Sequence, residues 1–476
     1  MNIPFPCITG RREMTRWQKL YEEKTITAGQ AADMIKSGDR IMTGNRDCRA
    51  VLRKLMERKD LENVYYYAPI INFMIDTESL GSGFRPSTSF LNESSHQFFN
   101  EGRLDYIPGE YWLYEKIASI GLECNVAFLE VTKPDEHGYV SMGTCTDFIR
   151  QACKKADLII AETNTNFPFI YGSNVIHISE FDYIVDEGEN YPLKVIPIDH
   201  DGENVDTYRA IGGYLSDLIP DEATIEVGLG RLNAASLMYL ENKRDLGVHT
   251  EVYGDILMYL TEKGIISNAK KSEKPGKAVF TQMVGTRELF EWSDHNLGLE
   301  INRCQEVLNP GTIYNQRRMT AINNAVEIDL MGQANAEFLK GRQYSGMGGI
   351  CNFASGAAAN LEGKSIVVLE SATKNMKISK ITPSFNKGTP VSLPRTMIEY
   401  VVTEYGVATL VGKTPSQRTR ELIRIAHPKF REELTFEARE MGILCYELKW
   451  VRGRIRLKEI SSERVGYYGE NSQIMY

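Results

Sequence analysis

Short, near-continuous apolar runs alternate along the chain with longer amphipathic ones. "DRIMTG" (39–44), "VAFLEV" (126–131), "DLIIAE" (157–162), "ATIEVGLG" (223–230) and "SIVVLE" (365–370) are no longer than eight residues and rich in Val, Ile and Leu. That length and composition predict strands buried on both faces. "RAVLRKLMERK" (49–59), "FIRQACKKA" (148–156), "AASLMYLENK" (234–243) and "RTRELIRIA" (418–426) repeat apolar residues three or four positions apart, the period of a helix lying on a core. The alternation predicts an α/β protein with a parallel or mixed sheet covered by helices on both sides.

The pattern also repeats itself. Residues 44–67, "GNRDCRAVLRKLMERKDLENVYYY", lie without a gap over residues 228–251, "GLGRLNAASLMYLENKRDLGVHTE". Gly44 coincides with Gly228, Ala50 with Ala234, Glu57 with Glu241, Lys59 with Lys243 and Val64 with Val248. "SMGTCTDF" (141–148) pairs in the same way with "GMGGICNF" (346–353). Two matches in the same order predict a duplicated α/β architecture. The boundary is drawn in "YLSDLIPDE" (214–222), giving domains 1–216 and 217–476. Glu251 has Tyr67 as its counterpart, so the halves are not chemically equivalent.

Length and composition narrow the class. The 476 residues exceed one ordinary core, and 42% hydrophobic with 25% charged residues is usual for a globular protein. A net charge of −8 with no long basic run argues against nucleic acid or an anionic membrane as partner. No apolar run reaches the ~18–20 residues that span a bilayer. The eight cysteines are scattered, without C-x-x-C, and no apolar leader is apparent, so a reducing cytoplasm with free thiols is expected. "MNIPFPCITGRRE" lacks periodicity; it reads as a disordered leader, or Met14 is the natural start.

Three glycine-rich stretches carry candidate chemistry. "ATIEVGLGRLNAA" is strand, G-x-G turn, helix. It fits an anion-binding helix start, a dinucleotide site with Glu251 as the ribose acid 21 residues past Gly230, or a plain tight turn. Asn233 replaces the third glycine of the dinucleotide pattern. "YGVATLVGKT" (405–414) has five residues between its glycines where a P-loop has four, so ATP binding is discounted and the segment is read as leading into a helix near Ser416. "SGMGGICNFASGAAA" (345–359) either exposes backbone N–H groups as an anion site or oxyanion hole, or is a tight loop before a small-residue helix. The seven histidines form no metal-like cluster, and no G-x-S-x-G elbow is present. In "GVHTEVYGD" (247–255), Glu251 sits where a short buried strand should leave its sheet. It reads as a solvated strand end, a ribose acid or a nucleophile.

"DLIIAETN", "GLGRLNA", "DLGVHTEVYGD", "INNAVEIDLMGQANAE", "SGMGGICNF", "VVTEYGVATLVGK" and "LIRIAHPKFREEL" together resemble the acetyl-CoA hydrolase/transferase family, over roughly residues 20–445. The resemblance implies two similar open α/β/α domains and an acyl-CoA:carboxylate CoA-transferase of the 4-hydroxybutyrate or butyryl type, working by ping-pong. It implies Glu251 as nucleophile, Gly349 as oxyanion donor with Asn309 nearby, and Glu404 as a second active-site carboxylate. Gly228, Leu229, Gly230, Leu232 and Asn233 would face CoA or the acyl group, as would Gly346, Gly348 and Asn352, and Lys374 would approach CoA. CoA is then a substrate; no metal or other cofactor is implied, and the partners are an acyl-CoA, a small carboxylic acid and, by resemblance, a second copy in a homodimer. Two departures remove charge: Phe169 stands where the family often has arginine, and "GGICNF" puts Ile350 and Asn352 at a polar and an acidic position. They predict either an apolar acyl pocket or a loop repacked outside it. An acyl-CoA hydrolase is the nearest alternative. A nicotinamide-dependent oxidoreductase and a silent CoA-binding protein are the others. No function is read in the tail after about 445.

Overall fold

The computed structural model describes residues 14–71, 83–186, 205–228, 230–444, 448–451 and 454–457. The leader 1–13 and most of the tail lie outside them. Two sheets organise the chain. The first contains β1 (Thr25–Ile26), β2 (Arg40–Thr43), β3 (Val64–Tyr67), β4 (Phe84–Thr88), β5 (Asp105–Tyr106), β6 (Val126–Val131), β7 (Leu158–Thr163) and β8 (Tyr183–Val185). Their order is β1-β8-β7-β6-β2-β3-β4-β5, every neighbouring pair parallel. The second contains β9 (Thr224–Val227), β10 (Gly247–Val248), β11 (Thr320–Asn324), β12 (Lys364–Val368), β13 (Tyr400–Thr403) and β14 (Gly406–Thr409), in the order β10-β9-β11-β12-β13-β14. Only β13 and β14, joined as a hairpin, are antiparallel.

The apolar runs form strands because both faces are covered. In β6 every residue is buried. Alternate positions send Val126 and Phe128 into one core, with Val51, Leu52 and Leu55 of helix α1 (Arg49–Glu57), and Ala127, Leu129 and Val131 into another, with Ile149 and Ala152 of α2 (Ile149–Cys153). This second core also takes in Leu308, Ala321, Phe353 and Ala357, so the two halves share packed side chains. Among the described residues, no helix is long and apolar enough to cross a membrane.

The internal echo is visible in the topology. β2-α1-β3 and β9-α4-β10, where α4 is Arg231–Leu237, are parallel pairs with a crossover helix. The register differs by two residues: Arg40 faces Tyr65, whereas Thr224, its counterpart, faces Gly247, the counterpart of Asn63. The second echo lies in the equivalent connection of each half, before α2 between β6 and β7, and at α6 (Ile350–Ala359) between β11 and β12. The boundary drawn at 216/217 falls inside α3 (Val205–Leu218). Ile211 and Leu215 of α3 share a core with Ile225 and Leu237, so α3 packs with the second sheet.

"GVAT" of the P-loop look-alike is hairpin strand β14, and Thr414 caps a helix beginning at Pro415.

Candidate active site

The site lies where β9 and β11 end, the edge at which parallel α/β sheets present loops to ligands. Gly228 donates to the Ile322 carbonyl at 2.8 Å. The Asn233 amide donates to the carbonyls of Gly228 (2.9 Å) and Ile322 (3.2 Å), which fastens the G-x-G turn to β11. Gly230 has φ +149°, and a Cβ there would stand 2.6 Å from the Asn324 amide nitrogen. These glycines serve close backbone approach. Leu229 lies outside the described residues, and Leu232 is half-buried against the core of the second sheet.

The segment 247–255 changes partners at Glu251. Val248 belongs to β10, and its carbonyl accepts from the buried Lys271 ammonium nitrogen at 2.7 Å. Thr250 donates to the Val279 carbonyl at 3.0 Å. Val252 and Tyr253 then pair in parallel with Gln282 and Met283, and the Glu251 carbonyl accepts from the amides of Thr281 (3.2 Å) and Gln282 (3.1 Å). The chain thus leaves one sheet for another at the residue whose side chain enters the cleft. His249, two residues earlier, donates Nε2–H to the Val307 carbonyl at 2.7 Å, and burial depresses its pKa to about 3; it is a neutral packing residue.

Glu251 shares the cleft with Asn45, Tyr111, Glu226, Gln282, Asn323 and the turn 345–350. Burial raises its pKa to about 7, against the opposing pull of the Gly349 backbone N–H and the Gln282 amide, both donating to its carboxylate. The Gln282 Nε2 to Glu251 Oε1 distance is 3.4 Å. Asn45 Nδ2 bridges Gln282 Oε1 (3.3 Å) and the Tyr111 hydroxyl (2.8 Å). The Asn45 backbone N–H donates to buried Asp147 at 2.6 Å, so both segments of the first half that echo the second also build the site.

The glycine-rich turn is wedged between the halves. A Cβ on Gly346 would stand 2.2 Å from the Ser89 carbonyl oxygen, and the Tyr111 N–H donates to the Gly348 carbonyl at 3.0 Å. Gly348 takes φ +57°. Gly349 caps the N-terminus of the ten-residue α6, where the helix dipole favours negative charge. A Cβ on Gly349 would lie 2.3 Å from Glu251 Oε2.

Glu251, Gly228, Gly346, Gly348 and Gly349 are therefore brought together. Other expected residues are not. Asn309 is an exposed N-cap, accepting from the Gly311 N–H at 2.8 Å, and lines a separate cleft with His249 and Arg303. Glu404 accepts from the Ser371 N–H (2.9 Å) and hydroxyl (2.5 Å), outside the residues lining the cleft. Lys374 is exposed in the turn after β12. Asn352 is buried in α6 and donates to Glu110 at 3.1 Å. Phe169 stacks on His295, ring centres 5.1 Å apart, away from the cleft. Of the departures from the family pattern, only Ile350 lines the cleft, beside Ile70, Phe90 and Met347.

Glu226, Asn323, Gln282, Asn45 and Tyr111 escaped sequence reasoning. A glutamate inside the apolar run "ATIEV" was the one local signal, since an unpaired acid in a buried strand is costly. No Lys, Arg or His lines the cleft among the described residues, and no group of three or more metal-ligating side chains occurs among them.

Residues 9–197 match the acetyl-CoA hydrolase/transferase N-terminal domain and residues 285–438 the C-terminal domain of the same family. Glu251 lies between the two matched spans. The chain is 37% identical over 428 residues to the 4-hydroxybutyrate coenzyme A transferase of Clostridium kluyveri, covering 88% of this chain and 98% of that protein. The crystal structure of RipA from Yersinia pestis superposes with a TM-score of 0.84 at 29% identity, covering 90% of this chain and all of the other. The crystal structure of the 4-hydroxybutyrate CoA-transferase from Porphyromonas gingivalis superposes with a TM-score of 0.73 at 30% identity, with the same coverage.

Proposed function

The chain belongs to the acetyl-CoA hydrolase/transferase family and is a CoA-transferase, and we propose that Glu251 carries the CoA between an acyl-CoA and a small carboxylic acid. The observation that supports this most is a half-buried carboxylate held by the Gly349 N–H in a cleft that no cation lines among the described residues.

A carboxylate in water is a poor nucleophile because it is well solvated. Burial strips that solvation from Glu251. One carboxylate oxygen attacks the thioester carbonyl, the C–S bond breaks, and CoA leaves as thiolate from an acyl-glutamyl anhydride. The thiolate then attacks the Glu251 carboxyl carbon, releasing the first acid and leaving a glutamyl-CoA thioester. The acceptor carboxylate reverses both steps. Each addition places charge on a carbonyl oxygen, and the Gly349 N–H is the fixed donor beside Glu251. Losing such a donor costs about 3–4 kcal/mol. CoA is a substrate, and these steps call for no metal or other cofactor.

The wall formed by Ile70, Phe90, Met347 and Ile350 suits the apolar tail of a monocarboxylic acid. A dicarboxylate would bury its second charge without a partner. The six described cysteines are free and buried, in keeping with a reducing cytoplasm. A homodimer rests on family likeness.

Treatment with acyl-CoA and then borohydride tests the reading. Wild type should be inactivated, with Glu251 reduced to an alcohol visible by peptide mass. A Glu251→Ala variant with full transferase activity would sink it.

A further inference from the structure

Glu226 has no part in the steps above, yet it lines the same cleft as Glu251 and is only 1% exposed. It projects from β9 toward β11, where its Oε2 accepts from the Asn323 side-chain amide at 2.8 Å and from the Ile322 backbone N–H at 3.2 Å. Asn323 itself lines the cleft. We propose that Glu226 is a positioning residue of the transfer: its carboxyl oxygen fixes the Asn323 amide at the cleft wall beside Glu251. The proposal rests on the reading of Glu251 as the CoA carrier.

Two carboxyl groups facing one cleft, with no cation lining it among the described residues, do not both ionise near neutral pH. Burial first, and then the negative charge of Glu251, push Glu226 well above the usual carboxylate range. Its hydrogen bonds to Asn323 and Ile322 oppose that rise without cancelling it. Glu251 therefore carries the charge and Glu226 the proton. Among the described residues, the other titratable groups lining the cleft are the Tyr111 and Tyr114 hydroxyls, both held neutral by burial. From β11 only amides face Glu226, and the described residues of the turn 345–350 bring no charged side chain.

The arrangement has a use in the reaction. One hydrogen of the Asn323 amide goes to Glu226, and the other is left for a ligand oxygen. Gly228 leaves room for that amide: a Cβ there would stand 2.8 Å from Asn323 Oδ1. A neutral Glu226 adds no second negative charge while the thioester oxygen and the CoA sulfur become anionic. No bond is made or broken at Glu226.

The test compares Glu226→Gln and Glu226→Leu with wild type, using butyryl-CoA and acetate, across a pH series. Glutamine mimics the protonated acid, because its carbonyl can still accept from both N–H groups. Leucine removes the acceptor. E226L should lose about 10²-fold in kcat, the scale of one misplaced oxyanion donor, with a much smaller change in KM for the CoA substrate. E226Q should recover at least ~10-fold of that loss. Wild-type activity should also fall at alkaline pH as Glu226 ionises, and E226Q should lack that fall. The proposal is overturned if E226Q is no better than E226L, or if it keeps the wild-type alkaline fall. Should E226L fail to fold, the E226Q profile decides alone. Borohydride labelling of the same wild-type preparation separates the two readings. Without a label on Glu251, both fall; with the label and either adverse result, only the role of Glu226 falls.

Discussion

Replacing Gly349 with alanine isolates the placement of Glu251, the proposed nucleophile. Gly349 has φ −99°, which alanine adopts without strain, and its N–H survives the change. The added Cβ, however, would stand 2.3 Å from Glu251 Oε2 and 2.4 Å from Leu308 Cδ2. Restoring an ordinary contact of 3.4 Å moves the carboxylate by about 1.1 Å. A misplacement of about 1 Å is enough to cost ~10²-fold in rate. Crowding Leu308 adds about 1–3 kcal/mol of overpacking. The expected result is a kcat reduced about 10²-fold, slower borohydride labelling of Glu251 and a modestly lower thermal midpoint. Gly348→Ala is the control. Its φ of +57° makes alanine unfavourable by about 1–2 kcal/mol, but its Cβ would clear Glu251 by 3.5 Å. It should lose stability with a smaller loss of kcat. A folded G349A enzyme with kcat within threefold of wild type would refute the placement of Glu251 against Gly349.

In the proposed mechanism Glu251 attacks as the anion, and with its pKa raised to about 7, kcat/KM should fall about tenfold per pH unit below that value. The same shift is a cost to folding: the unfolded chain ionises first, so stability is lost as pH rises from about 4.5 to about 7 and is level above. Glu251→Gln should therefore be inactive but more stable than wild type above pH 7, by roughly 3 kcal/mol at most, with the gain vanishing toward pH 4.5 in pH-dependent thermal melts. Ile350→Ala should reduce the preference for butyryl-CoA over acetyl-CoA severalfold, since each buried methylene is worth about 0.8 kcal/mol. Phe169→Ala should leave that ratio within about twofold, and a wild-type enzyme favouring acetyl-CoA or succinyl-CoA in a chain-length series would contradict the apolar wall. Asn233→Ala should lower the thermal midpoint, costing about 1–3 kcal/mol, because the Gly228 carbonyl loses its amide donor while the Ile322 carbonyl keeps only the Gly228 N–H.

The amino-acid sequence by itself determined the class and the rhythm of the fold. Apolar runs such as "VAFLEV" and "DLIIAE" became adjacent parallel strands, because a strand covered on both faces has no polar side to alternate. The echo between 44–67 and 228–251 marked a repeated strand-helix-strand unit, since local pattern is inherited with the unit. Motifs in chain order pointed to the family, and Glu251 stood out because an acid breaks a short apolar strand. What the chain could not display was which loops meet. Asn309 is near Gly349 in no sense that spacing can convey: it caps an exposed turn, while Asn323, at the end of β11, reaches the cleft. Sequence leaves Phe169 open between an acyl pocket and a repacked loop, and in the fold its ring stacks on His295. Asn45 and Gln282 lie 237 residues apart and touch through their side-chain amides. Glu226 and Glu251 face the same cleft although Glu226 lies in β9 and Glu251 in the bend after β10. Burial and long-range pairing set the charge state of both acids, and those quantities exist only once the two halves have packed together.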